Sequence, residues 1–174
     1  MRYRRADTPG ATYFFTLNAA DRSGQLLTDH IDALRASFRA VRRSRPFVLD
    51  AICVLPDHLH LLMTLPPDDA DFATRIMLIK QGFSRRVPQG ERISASRAAK
   101  GERGLWQRRY WEHLIRDDAD FERHVNYIHF NPVKHGWVEQ AVDWPHSSIH
   151  RFIREGAIDA SWAGVRGEAM EAGE

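Results

Sequence analysis

The chain has 174 residues, enough for one domain whose core closes without disulfides or a structural metal. A hydrophobic share of 43% and a charged share of 28% belong to a globular protein and exclude a low-complexity or disordered chain. The formal net charge is only +2 and Cys53 is the single cysteine, so neither a disulfide framework nor a uniformly polyanion-binding surface is indicated. The opening MRYRRADTPGATYFF is basic but lacks the apolar run of a leader, and no 18 apolar residues follow one another, so a cytoplasmic protein without a membrane partner is expected.

Residues 12 to 19, TYFFTLNA, alternate Tyr13, Phe15 and Leu17 on one side and predict a strand. Ile31, Leu34, Phe38 and Val41 recur at helical spacing, with Thr28 or Asp29 as N-cap and Arg42, Arg43 and Arg45 in the last turn. PFVLDAICVL (46 to 55) and HLHLLMTL (58 to 65) predict two strands joined by the tight turn Pro56-Asp57, hence an antiparallel hairpin. Phe72, Ile76, Ile79 and Phe83 mark a second helix, and 88 to 104 lose periodicity and predict a basic, mobile loop. LWQRRYWEHLI (105 to 115) predicts a fourth strand. Asp117 or Asp118 then caps a third helix bearing Phe121, Val125 and Ile128. This order is an α+β, ferredoxin-like βαββαβ antiparallel sheet with its first and third strands central and an added C-terminal helix. A single domain is expected over 1–153, with a tail over 154–174.

Charge is unevenly distributed. Residues 79 to 109 carry nine basic side chains against two acidic ones, or +7, beside Trp106, Tyr110 and Trp111. Cations next to rings suit a nucleic acid with unpaired bases, whereas a solvated basic loop is the plainer reading.

Within 58 to 65, residues two apart share a face, so Leu59, Leu61, Met63 and Leu65 line one side and His58 and His60 the other. Helices should cover the leucine side and leave the imidazoles on the open face. There they form a rigid pair of potential metal ligands, or simply two half-exposed histidines. On the third helix, Tyr127 and Asn131 fall on one flank away from the apolar stripe, with His124 between them in angle. The alternative is a tyrosine covering a helix edge and an asparagine ending the helix before Pro132.

PDHLHLL followed by YIHFNPVKHG resembles the single-tyrosine HUH transposases, in which a His-hydrophobic-His strand binds a divalent metal and a helix supplies one nucleophilic tyrosine. RYRRADTPGATYFFT, GLWQRRYWEH and DFERHVNYIHFNPVKHG are similar to the REP-associated tyrosine transposases within that superfamily, over roughly residues 1 to 153. The resemblance implies His58, His60 and Asn131 as ligands of Mg2+ or Mn2+ and Tyr127 as nucleophile. Asn131 stands where insertion-sequence relatives more often have glutamine, and DWPHSS carries His146 where the family usually has tyrosine. The implied reaction is metal-dependent cleavage of single-stranded DNA through a 5′-phosphotyrosine, followed by strand transfer, on hairpins of the repetitive extragenic palindromic (REP) type. An ordinary tyrosine has a pKa near 10, so phenolate at pH 7 costs about 4 kcal/mol, and His124 is the candidate proton acceptor. Arg4, Arg5, Lys80, Arg85, Arg86, Arg108 and Arg109 are the candidate phosphate contacts, with Trp106 as a stacking ring. REP-associated members are expected to act as monomers, and insertion-sequence relatives as dimers. Two rivals are a nuclease using bound water instead of Tyr127, and a non-catalytic module that binds single-stranded nucleic acid.

Overall fold

The structure is a computed structural model that describes residues 8–162; the candidate contacts Arg4 and Arg5 and the acidic end GEAMEAGE lie outside the described residues. Four strands, β1 (Thr12–Asn18), β2 (Val48–Val54), β3 (His58–Thr64) and β4 (Trp111–Leu114), form one sheet in the order β2-β3-β1-β4. Every pairing is antiparallel. The expected ferredoxin-like arrangement is therefore present, with β1 and β3 at the centre.

Alternation along the central strands divides the molecule into two layers. Tyr13, Phe15, Leu17, Leu59, Leu61 and Met63 face one side and are buried with Leu34, Phe38 and Val41 of α2 (Ile31–Ser44) and Phe72, Ile76, Ile79 and Phe83 of α3 (Phe72–Arg86). Each such side chain contributes roughly 1.5–3 kcal/mol of apolar burial, so this layer dominates stability. The turn from β2 to β3 closes through Leu55, whose N–H bonds the His58 carbonyl at 2.8 Å.

The opposite face carries Phe14, Ala51, Cys53 and Leu62 under Val125 and Ile128 of α5 (Asp118–Lys134). This corrects the expectation of an open face: the tyrosine helix covers it, and His58 and His60 are 1% and 0% exposed. Burial drives the Cys53 thiol pKa strongly upward, which makes it inert.

Several boundaries differ from expectation for local reasons. A short helical turn, α1 (Leu26–Asp29), precedes α2, whose N-cap is His30 with no side-chain bond, so neither Thr28 nor Asp29 caps it. The basic stretch contains another short turn, α4 (Ala95–Ala98), and is organised by Arg103. That guanidinium bonds Glu91 Oε1 and Oε2 at 2.6 and 2.7 Å and the Val87 and Pro88 carbonyls at 2.6 and 2.8 Å. β4 spans four residues because 105 to 110 leave the ladder after one bridge, Ala19 to Trp106.

Asp117 caps α5 by accepting the Asp120 N–H at 2.8 Å. The helix does not stop at Asn131: it runs through Pro132 to Lys134. It closes at Gly136 (φ +70°), where the Gly136 N–H meets the Val133 carbonyl and the Trp137 N–H the Pro132 carbonyl.

DWPHSS then extends the sheet. Trp144 Nε1 donates to the Val54 carbonyl at 2.9 Å, the Val54 N–H bonds the His146 carbonyl, and the Ser148 N–H bonds the Ile52 carbonyl. The segment covers the β2 edge, leading into α6 (Ile149–Arg154), and position 146 contributes through its main chain. No helix among the described residues is long and apolar enough to cross a membrane.

Candidate active site

Strand register places the imidazoles. Thr16 pairs with His60 and Asn18 with His58, so all four side chains occupy the face beneath α5. His58 Nδ1–H donates to Asp57 Oδ1 at 2.7 Å, and the other carboxylate oxygen of Asp57 accepts from Arg22 Nε at 2.6 Å. That fixes the His58 tautomer and leaves Nε2 as the lone-pair nitrogen. Nε2 is buried and has no hydrogen-bond partner among the described residues. Although burial raises the Asp57 pKa, the bonds from His58 and Arg22 outweigh it and hold the carboxyl below its usual range.

His60 Nδ1 is hydrogen-bonded to Thr16 Oγ1 at 2.8 Å, and the Asn131 side chain lies beside the same imidazole. Burial lowers the pKa of both histidines, that of His60 to about 3, so both are neutral imidazoles at pH 7, the form that binds a metal. The two rings are 4.9 Å apart. Asn131 is fully buried because α5 continues past it, and one turn on the His135 ring lies 5.1 Å from that of His58.

Tyr127 lies over this pair. Its ring is 5.2 Å from the His60 ring and 6.0 Å from Phe14. The donor 3.2 Å from its phenol oxygen is Lys134 Nζ, a residue the sequence reading did not single out. Its only sequence signal was the spacing of seven, two helical turns after the tyrosine.

His124 is committed elsewhere. Its Nδ1 bonds the Asp120 carbonyl at 2.7 Å and its ring stacks 4.7 Å from His113. His113, Asp120 and His124 are also the one group of three metal-capable His or acidic side chains, among the described residues, with ligand atoms within 4.8 Å of one another. The Asp120 carboxylate already accepts from His113 Nε2 at 2.8 Å, Arg116 Nε at 3.2 Å and Arg123 Nη2 at 3.1 Å. Those bonds overcome the upward effect of burial and keep its pKa far below the usual range. With two guanidiniums on its only carboxylate, the cluster is better suited to clasp β4 to α5 than to hold a cation.

The basic segment lies on the layer opposite the imidazoles. Trp106 is buried against Phe83, ring centroids 5.3 Å apart, which makes it a core residue and corrects its expected role as a stacking ring. Lys80 donates to the Gln107 carbonyl at 2.7 Å, and burial, then Arg97, lower its pKa to about 8. Arg108 pairs with Glu102 at 2.9 Å and Arg86 bonds the Gly82 carbonyl at 2.8 Å. Arg85 and Arg109 are exposed. Together α3 and the 97–110 segment wall a cavity of about 870 Å³.

The family described as transposase IS200 like matches residues 9–131, which span both the imidazole strand and the tyrosine helix. The chain belongs to that family. The REP-associated tyrosine transposase of Escherichia coli K12 is 44% identical to this transposase over 162 residues, covering 93% of this chain and 90% of that one. A Haemophilus influenzae relative is 47% identical over 163 residues, covering 93% of each chain. The solved structure of a REP-associated tyrosine transposase bound to a REP hairpin superposes with a TM-score of 0.86 at 42% identity, covering 100% of this chain and 97% of that one. The transposase is thus a REP-associated tyrosine transposase, and its family implies a divalent metal.

Proposed function

We propose that this transposase cleaves and rejoins single-stranded DNA at the foot of REP-type hairpins, with Tyr127 as nucleophile and Mg2+ or Mn2+ held by His58, His60 and Asn131. The observation that carries the reading is the meeting of β3 and α5: the Tyr127 ring is 5.2 Å from the His60 ring, and Asn131, one turn on along the same helix, is buried beside that imidazole. The buried Nε2 of His58 supports the ligand set, because a desolvated nitrogen with no donor costs roughly 1–3 kcal/mol unless something uses it. His58, His60 and Asn131 would hold the cation, which would supply charge neutralisation at the scissile phosphate.

The protein groups do the rest. Asp57 and Thr16 fix the imidazole planes, and β1 and β3 hold them on the centre of the sheet. Tyr127 Oη attacks phosphorus, the bond to O3′ breaks, and a 5′-phosphotyrosine and a free 3′-hydroxyl result. A second 3′-hydroxyl reverses the step and joins strands. Because tyrosine and imidazoles come from one chain, a monomer is the proposed working form. Exposed cations such as Arg85 and Arg109 are proposed phosphate contacts, alongside Arg4 and Arg5 of the opening run.

Incubation of the full chain with a labelled single-stranded hairpin and Mn2+ should give a protein–DNA band that survives denaturation. His58→Ala should lose that band while still shifting the hairpin on a native gel. Cleaved DNA with no covalent band would favour attack by water, and a native shift with no cleavage at all would favour the binding module.

A further inference from the structure

We propose that Lys134 is a catalytic residue of this strand cleavage, its ammonium serving as charge partner of the Tyr127 oxygen both in attack and in reversal; the inference rests on the cleavage reading above. Its Nζ donates to the phenol oxygen at 3.2 Å and stands 4.9 Å from the ring centroid. Side chains on a helix lean toward its N-terminus, so a lysine two turns after the tyrosine folds back onto it, whereas one two turns before would point away. The continuation of α5 through Pro132 and its closure at Gly136 fix where that lysine starts.

The chemistry needs a cation at that place. As the Oη–P bond forms and the P–O3′ bond breaks, the phenol proton passes to solvent and the departing 3′ oxygen takes one up. Tyr127 Oη carries negative charge on the way in, and again when strand joining expels it. An ammonium in hydrogen-bond contact stabilises that charge in both directions without gaining or losing a proton itself. A cation held by His58, His60 and Asn131 would act on the phosphate, whereas Lys134 acts on the nucleophile.

The test is single-turnover adduct formation on a labelled hairpin with Mn2+, measured beside hairpin affinity at the same salt, for the full chain and for Lys134→Met, Lys134→Gln and Lys134→Arg. Both neutral variants should be slower by about 100-fold, the usual loss of one preorganised donor to a developing oxyanion, with affinity close to that of the unaltered chain. Lys134→Arg should recover most of the rate. A ring-fluorinated tyrosine installed at 127, whose oxygen carries negative charge more readily, should recover much of the rate in the Lys134→Met background. A merely structural lysine would show no such rescue. Neutral variants at full rate, affinity falling in step with rate, or no rescue by the fluorinated ring would each overturn the assignment. Failure of the unaltered chain to form any adduct would instead strike the cleavage reading.

Discussion

At the scale of single residues, the site depends on how each imidazole is held. Asp57 is the clearest case, because one carboxylate oxygen holds His58 Nδ1–H and the other is braced by Arg22. Asp57→Asn keeps the shape but weakens the acceptor and offers an amide donor that can turn toward the ring. Calorimetric Mn2+ affinity should drop about 10- to 100-fold, as for other groups that orient a ligating histidine, and an unchanged affinity would remove Asp57 from the site. The imidazole pair itself was legible in the sequence, because a period of two assigns His58 and His60 to one face with no further information. Asp57 and Arg22 were not, since their roles arise where the β1–α1 loop returns over the β2–β3 turn. Lys134 was hidden for a different reason: spacing of seven puts two residues on one flank, but side-chain lean decides whether they touch.

At the scale of elements, α5 is the part whose end matters most. Asn131, Lys134 and His135 all lie in its last turn and beyond, although proline inside a helix removes a hydrogen bond and costs about 3 kcal/mol. Gly136 supplies the left-handed residue that closes this turn, so Gly136→Ala should destabilise the protein by about 1 kcal/mol in urea unfolding. A change in Mn2+ affinity with it would show that the cap also sets ligand geometry. The sequence placed this helix correctly at its start, where Asp117 caps it, and ambiguously at its end, because local preference before proline argues against the geometry that tertiary packing enforces. β4 shows the same limit: Trp106 and Tyr110 favour a strand by composition, yet they leave the ladder to fill the opposite layer. The basic loop is held by Glu91 and Arg103, both largely buried. Arg103 lowers the Glu91 pKa from 4.5 to about 2, so the pair is fully present above about pH 4.5 and lost as pH falls toward about 2. Amide protection factors across 84–104, taken relative to intrinsic exchange at each pH, should fall through that window, and Glu91→Gln should be poorly protected already at pH 6. Equal protection in the variant would mean that the carbonyls on Arg103 suffice.

At the scale of the whole molecule, the two layers have different duties. The α2/α3 layer is the larger core, while the α5 layer is thinner and mixes Phe14, Leu62, Val125 and Ile128 with buried polar groups. One of those, His129, is fully buried, bonds Ser148 Oγ at 2.9 Å, and has its pKa lowered by burial from 6.5 to about 4. The unfolded chain therefore takes up this proton first as pH falls. Stability is intact above about pH 6.5 and declines down to about pH 4, by about 3 kcal/mol for this group. Urea midpoints measured across that range should fall less steeply for His129→Gln, and parallel slopes would refute the assignment. Periodicity gave the strands and their two faces, and the βαββαβ order of elements gave the strand order, whereas the docking of α5 over the imidazoles could not be read, because no local pattern specifies which helix covers which face. That docking is what brings a phenol to a pair of neutral imidazoles, and it can be tested in one experiment. A REP-type hairpin incubated with the full chain and Mn2+, digested and mass-mapped, should carry its 5′-phosphate on the peptide containing Tyr127, with no adduct from Tyr127→Phe although that variant still binds the hairpin. An adduct on any other residue, or one that survives the loss of this phenol, would contradict the account.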